Sequence, residues 1–214
     1  LGKHKNKFNA SLEAAKYIKR HKLSLTVEQL LAKWELLRLE GLRKGNKYHD
    51  TREINSIHFE DAIECGNYSL DLSGLKDGIY SELILYSDKY RIAGKADWIR
   101  KKGNKIFIRD YKTNKKAITK NNYGKFMLYP FHNIPDAVYY HYSLQLNIYG
   151  FLLYEFGYDI EGLEIYHKRF LDDEDVPDWA LKESWQSEEQ LRKPIIINPK
   201  FRPDIIKQCL DNVA

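Results

Sequence analysis

Several polar residues in this chain have the types and spacing of a hydrolytic site. Asp110 and Lys112 stand two apart in the run Ile108-Arg109-Asp110-Tyr111-Lys112, and strand alternation sends both to one face while Tyr111 points away. A carboxylate and an ammonium are thereby held side by side. Gly94-Lys95-Ala96-Asp97 supplies a second carboxylate from the preceding segment. Two oxygens from neighbouring strands can then grip one hard cation such as Mg²⁺, which prefers a few carboxylates and keeps several waters. Lys112, beside that cation, can orient a water or stabilise charge growing on a phosphate, as metal-assisted phosphodiester hydrolysis requires. Two helical pairs complete the set: His49 with Glu53, and Gln145 with Tyr149, each spaced to share one helix face.

The elements that must position these groups are legible as changes of hydrophobic period. Val27, Leu30, Leu31, Trp34, Leu37 and Leu42 recur at helical spacing, and Thr26 with Gln29 can form a capping box, which predicts an amphipathic helix over 26–43. Leu12, Ala15, Tyr17 and Ile18 predict a shorter helix upstream, and Gly45-Asn46 predicts a break before a further helix over 47–63 that carries His49 and Glu53. The turn-rich stretch 71–78 then leads into three predicted strands, 80–87, 90–100 and 105–112, whose hairpin-length links imply an antiparallel meander. A long loop over 113–135, a helix over 136–156 stopped by Gly157, a strand over 163–170, an acidic loop at 172–175 and a tail mixing helix with a Pro-broken extended piece follow. No repeat, low-complexity tract or clear linker interrupts the chain. The expectation is one domain over 1–214, with a helical N-terminal portion (1–44), a core carrying the chemistry (45–170) and a C-terminal extension (171–214).

Composition sets the outer bounds. Apolar residues make up 43% of the 214 positions, enough for a packed core and unlike a disordered chain. No apolar run approaches the roughly 20 residues of a bilayer-crossing helix. The start, Leu1 to Phe8, is basic with no apolar stretch behind it, unlike a signal peptide, and without an initiator Met the sequence reads as an excerpt. Cys65 and Cys209 are too few for an iron–sulfur cluster, which takes about four thiolates, so a reducing, intracellular setting is expected. A net charge of +5 is a mild bias towards polyanionic partners.

Taken in order, Gly94-x-x-Asp97, Asp110-x-Lys112 and Gln145-x-x-x-Tyr149 resemble the PD-(D/E)XK nuclease superfamily, in particular its RecB-like exonuclease branch. That branch also has a helical His upstream of the sheet with an acidic residue one turn later, which Gly45-Asn46-Lys47-Tyr48-His49 and Glu53 match. The resemblance covers 45–170 and implies an α/β fold built on an αβββαβ core, a central mixed sheet flanked by helices, with a helical N-terminal portion. It departs from the family in lacking a Pro before the first acid and in having Asp110 where some members have Glu.

The resemblance implies that Asp97 and Asp110 bind Mg²⁺ or Mn²⁺, that the Tyr111 carbonyl adds a ligand, and that Lys112 assists the attacking water. His49 would complete the metal site, and Gln145 and Tyr149 would face the cleft and contact the nucleic-acid strand or support Lys112. Glu82 is a further candidate on the adjoining strand. Glu53 is either a site residue or an ordinary helical charge partner. In the long loop, Lys115, Lys116, Lys120 and Lys125 interleave with Tyr123, Phe126, Tyr129 and Phe131. Such a mixture either tracks phosphates and stacks bases or tucks its aromatics onto the core. The implied activity is divalent-metal-dependent hydrolysis of DNA, single-stranded or at duplex ends, by an exonuclease of repair, recombination or replication, with no membrane and no iron–sulfur cluster involved. The alternatives are an endonuclease of the same fold and a non-catalytic DNA-binding module.

Overall fold

The computed structural model describes residues 9–57, 59–63, 65, 70–113, 118, 124–168 and 194–212. Lys115, Lys116, Lys120, Tyr123 and the acidic loop at 172–175 lie outside the described residues. The chain falls into two compact units, Leu1–Lys47 and Tyr48–Ala214.

In the first unit, α1 (Ala10–His21) opens on Asn9, whose side chain accepts the Leu12 N–H. It ends on Lys22 in the left-handed conformation. Helix α2 (Val27–Ile57) starts with the expected reciprocal cap, Thr26 Oγ1 accepting the Gln29 N–H at 3.2 Å and Gln29 Oε1 accepting the Thr26 N–H at 2.9 Å. Tyr17 meets Trp34 edge to face, joining the two helices.

Gly45-Asn46 does not break α2, contrary to the sequence expectation, and no separate helix over 47–63 exists. A lone Gly costs a helix about 1 kcal/mol relative to Ala and does not forbid it. Beyond it, Tyr48 is buried within the second unit against Tyr111, which rewards helical continuation. The helix ends at Ile57, and Ala62–Ile63 form a strand instead.

The second unit is built on a mixed six-stranded sheet. Its strands β1 (Ala62–Ile63), β2 (Gly78–Ser87), β3 (Ile92–Lys102), β4 (Lys105–Lys112), β5 (Asp159–His167) and β6 (Ile195–Ile197) stand in sequence order. β2, β3 and β4 form the expected antiparallel meander, and β1 lies parallel to β2. Helix α3 (Val138–Tyr154) is the crossover that lets β5 pair parallel with β4.

Strand β5 begins four residues before the expected 163 because Gly157, at φ 89°, turns the chain straight out of α3 into Asp159. It ends at His167 rather than at 170. β3 starts two residues later than expected, since Arg91 takes a left-handed conformation and prolongs the turn after β2; β2 starts two residues earlier, at Gly78, and β3 ends two later, at Lys102. Within the long loop, Phe126 forms a bridge with Pro135.

Alternation assigns the two faces of the sheet. Ile99, Ile106, Ile108 and Leu163 are closed to solvent and pack with Leu146, Leu152 and Leu153 of α3. Trp98, Tyr111, Phe107 and Tyr166 form a second cluster with Tyr48 on the opposite side. Behind α3, Ile206 of α4 (Pro203–Asp211) packs on Phe151 and Tyr90.

The C-terminal segment is tied to α3 by one buried amide. Asn147 donates to Ser143 O at 2.8 Å and Lys200 O at 3.2 Å, and accepts the Arg202 N–H at 2.7 Å. Asn147→Ala takes this partner from Lys200 O and the Arg202 N–H and is expected to cost about 2 kcal/mol in urea unfolding. Asn212→Ala, at an exposed position, is expected to stay within about 0.5 kcal/mol. Equal losses in the two variants would remove the anchoring role of Asn147.

Candidate active site

A fork in the sheet creates the site. β3 and β4 pair from Lys102 and Lys105 as far as Trp98 and Arg109, and there their ladder stops. β3 runs on beside β2 to Ile92, while β4 runs on beside β5 to Lys112. Asp97 and Asp110 are the first residues inside the opening. The Tyr111 N–H, released from the ladder, donates to Asp97 Oδ2 at 2.7 Å, so a carboxylate replaces a backbone carbonyl as its acceptor.

The neighbouring ladder is interrupted at the same level. β2 and β3 pair at Ser81 with Trp98 and again at Leu83 with Ala96, skipping Glu82 and Asp97. Glu82 has φ 58°, a left-handed conformation that costs a non-glycine residue about 1 kcal/mol or more. The kink shifts the face of the strand, since Tyr80 and Leu83 enter the same core cluster although they are three apart. In return it turns a carboxylate towards Asp97.

His49 completes this group from α2. Arg52, one turn on, lies over the rings of Tyr48, Tyr111 and Tyr166 and fixes this part of α2 against the sheet. His49 Nδ1 comes within 3.5 Å of Asp97 Oδ2. One ligand atom each from His49, Glu82 and Asp97 lie within 4.8 Å of one another. An imidazole nitrogen with carboxylate oxygens is a donor set that suits Mn²⁺ and accepts Mg²⁺ through its oxygens.

On the α3 side, Asp110 is 2% exposed and its Oδ2 is 2.8 Å from Lys112 Nζ. Lys112 also reaches Gln145 Oε1 at 3.4 Å, and Gln145 Nε2 donates to the Tyr149 hydroxyl at 2.8 Å. The ammonium sits 4.6 Å from the centre of the Tyr142 ring. Tyr149 explains Gly94: a Cβ at that position would lie 2.4 Å from Tyr149 Cε1. The Gly-x-x-Asp motif thus clears room for the ring that supports Gln145.

Burial and crowding set the charges. Burial first, then the neighbouring Asp110, pushes the Asp97 carboxyl up to about 7, against the opposing pull of the Tyr111 N–H and Lys112. Burial also raises Asp110, with Lys112 opposing it. Burial would lower Lys112, but Asp110, with Asp97 and Tyr142 behind it, outweighs it and keeps the ammonium charged. Two carboxyl groups that resist ionisation together form a site that a divalent cation relieves.

Of the residues singled out from sequence, Asp97, Asp110, Lys112, Gln145, Tyr149, His49 and Glu82 are brought together at this fork. The Tyr111 ring packs among Tyr48 and Tyr166 away from it, and its N–H is the group that meets Asp97. Glu53 is exposed and stands outside the three-residue ligand group. Lys125 and Phe126 are exposed and line an apolar groove of about 670 Å³ with Leu144, Ile148 and Ile206. Sequence reasoning missed Lys95, whose Nζ is 2.5 Å from Glu82 Oε2. Simple alternation did not point to it, because the β2–β3 ladder is interrupted at Asp97.

Two consequences are measurable. An Asp whose folded pKa exceeds its unfolded value stabilises the fold at low pH and loses that contribution as pH rises, here between 3.8 and about 7 for Asp97. In metal-free buffer, thermal stability should therefore decline across that window and then level off. Mn²⁺ should raise the melting temperature more near pH 8 than near pH 5, and an equal increment at both would contradict the assignment. Separately, Gly94→Ala should cost about 1–3 kcal/mol by overpacking. The loss should shrink in a Tyr149→Ala background, and a double-mutant cycle with no coupling would rule out the Gly94–Tyr149 clash.

A family model described as the PD-(D/E)XK nuclease superfamily matches residues 3–192. No curated protein matches the chain significantly. Among the described residues no helix is long and apolar enough to cross a membrane. The match takes in both strands of the fork, His49 upstream and α3 downstream, and with it the chain belongs to the PD-(D/E)XK nuclease superfamily of metal-dependent nucleases.

Proposed function

We propose that the protein is a divalent-metal-dependent deoxyribonuclease that degrades DNA from an end, in the manner of the RecB-like branch, and serves repair, recombination or replication. The observation that carries the reading is the meeting of Asp97, Asp110 and Lys112 in the strand fork, with His49 and Glu82 in ligand reach of Asp97. The exonuclease preference rests on His49 and on the motif pattern of that branch.

In this reading His49, Glu82 and Asp97 hold Mg²⁺ or Mn²⁺, with Asp110 beside them. A bound divalent cation there polarises the scissile phosphate and makes the attacking water more acidic. Asp110 keeps Lys112 charged and aimed, and Gln145, itself oriented by Tyr149, restrains the same ammonium. Lys112 orients the water and steadies charge on the phosphate as the P–O bond breaks. Cleavage leaves a 5′-phosphate and a 3′-hydroxyl. Lys125 and Phe126, both exposed, are suited to a phosphate and a base of the substrate strand.

The test is incubation of the purified protein with end-labelled single-stranded and duplex DNA and with RNA, in Mg²⁺, Mn²⁺ or EDTA. Cleavage of linear DNA that EDTA abolishes is expected, and cutting of a closed circle would make the enzyme an endonuclease. Asp97→Asn and Asp110→Asn should each abolish cleavage and, in metal-free buffer near pH 8, melt no lower than the unsubstituted protein. Lys112→Ala should lower kcat roughly 100-fold or more with little change in DNA affinity. Full activity in either Asn variant, with contaminating nuclease excluded, would defeat the reading.

His49→Ala should weaken metal affinity and be partly rescued by excess Mn²⁺. Calorimetric titration with Mn²⁺ checks this, and isotherms identical to those of the unsubstituted protein would remove His49 from the site.

A further inference from the structure

Glu82 has two claimants. One is the ligand group it forms with His49 and Asp97, and the other is Lys95, whose Nζ lies 2.5 Å from its Oε2. The Glu82 side chain is 19% exposed and that of Lys95 is 56% exposed, so the carboxylate belongs to the cleft while the ammonium stands at its mouth. The left-handed backbone at Glu82 brings its carboxylate into the group with His49 and Asp97. Lys95, in a regular part of β3 opposite Ile84, has the freedom of a long stem.

The two lysines flank the ligand group from opposite sides. Lys112 hydrogen-bonds Gln145 on the α3 side. A Cβ on Gly94 would meet Tyr149 on that same side, so the adjacent Lys95 projects from the other face of β3.

We propose, building on the metal-dependent reading of the site, that Lys95 is a substrate-binding residue coupled to the metal. Its ammonium neutralises Glu82 while no cation is bound, and it passes to a phosphate of the nucleic-acid strand when Glu82 turns to the cation. A monovalent ammonium and a divalent cation sharing one carboxylate repel each other, so Lys95 opposes metal binding by the protein alone. An incoming phosphate takes up the displaced ammonium. Metal and strand thereby favour each other's binding, as linkage requires.

The experiment pairs Lys95→Met with Lys95→Arg, which keeps the charge. Mn²⁺ titration by calorimetry, without nucleic acid, should show Lys95→Met binding Mn²⁺ roughly fivefold tighter than the unsubstituted protein, with Lys95→Arg close to unsubstituted. Binding of a labelled single-stranded oligonucleotide is then measured by anisotropy in a Lys112→Ala background, which slows turnover roughly 100-fold or more, at times too short for cleavage. With Mn²⁺, Lys95→Met should bind more weakly and lower the slope of log affinity against log salt by roughly 0.7, the share of one phosphate contact. Without Mn²⁺ the two slopes should coincide.

Unchanged or weaker Mn²⁺ binding in Lys95→Met, or a slope difference that persists without Mn²⁺, would overturn the coupling and leave the nuclease reading standing. Absence of Mn²⁺ binding by the unsubstituted protein would overturn both.

Discussion

The separation of β3 from β4 beyond Trp98 and Arg109 is the constraint on which the site depends. Inside a continuous ladder, the backbone of the two strands would satisfy itself and leave no room for a ligand between them. Once the strands part, the Tyr111 N–H needs another acceptor, and Asp97 Oδ2 supplies it at 2.7 Å. The same opening admits Asp110 from β4, His49 from α2 and, through Lys112, the polar face of α3. A sheet that was fully paired at this level would be more stable and have no site.

Stability is conceded at each part of the fork. Burial raises both Asp97 and Asp110, Asp110 adds to the resistance of Asp97 to ionisation, and Glu82 occupies a backbone conformation that L residues avoid. Such costs persist when the surroundings over-determine them. Here the surroundings are the apolar clusters on both faces of the sheet, one closed by Leu146, Leu152 and Leu153 and the other by Tyr48, Trp98 and Tyr111. Lys112 and Lys95 offset part of the acidic charge from the two sides. Neither is a substitute for a divalent cation, because each is a single positive charge that pairs closely with one carboxylate, Lys112 with Asp110 and Lys95 with Glu82.

What was legible beforehand follows from how local each signal is. β4 matches its expected bounds because its alternation is regular and the Gly103 turn that precedes it, at φ 58°, has a clear residue signature. The capping box at Thr26 and the meander were legible for the same reason. Asp97, Asp110 and Lys112 could be brought together by alternation and a hairpin alone. The part Glu82 plays could not, since a left-handed kink at a Glu follows from the interrupted ladder and has no pattern of its own. Lys95 depends on that kink and was hidden with it. The continuity of α2 through Gly45-Asn46 was misread because its reward, Tyr48 against Tyr111, comes from residues distant in sequence.

Helix α3 links the fold to the chemistry more tightly than its sequence suggests. One of its faces carries Tyr142, Gln145 and Tyr149 towards Lys112, and a second carries Asn147, whose amide holds the segment leading into α4. Two contacts just beyond Gln145 hold this part of the helix, the close approach of Tyr149 over Gly94 and the tether of Asn147 to Lys200 and Arg202. A Lys112 Nζ to Gln145 Oε1 distance of 3.4 Å is at the outer limit of a hydrogen bond, so a small slide of α3 along its axis makes or breaks the contact. Among the described residues the segment leading into α4 contributes none to the fork, yet it is held by the same helix that presents Gln145 to Lys112, so one core helix serves both the packing behind the cleft and the polar groups within it.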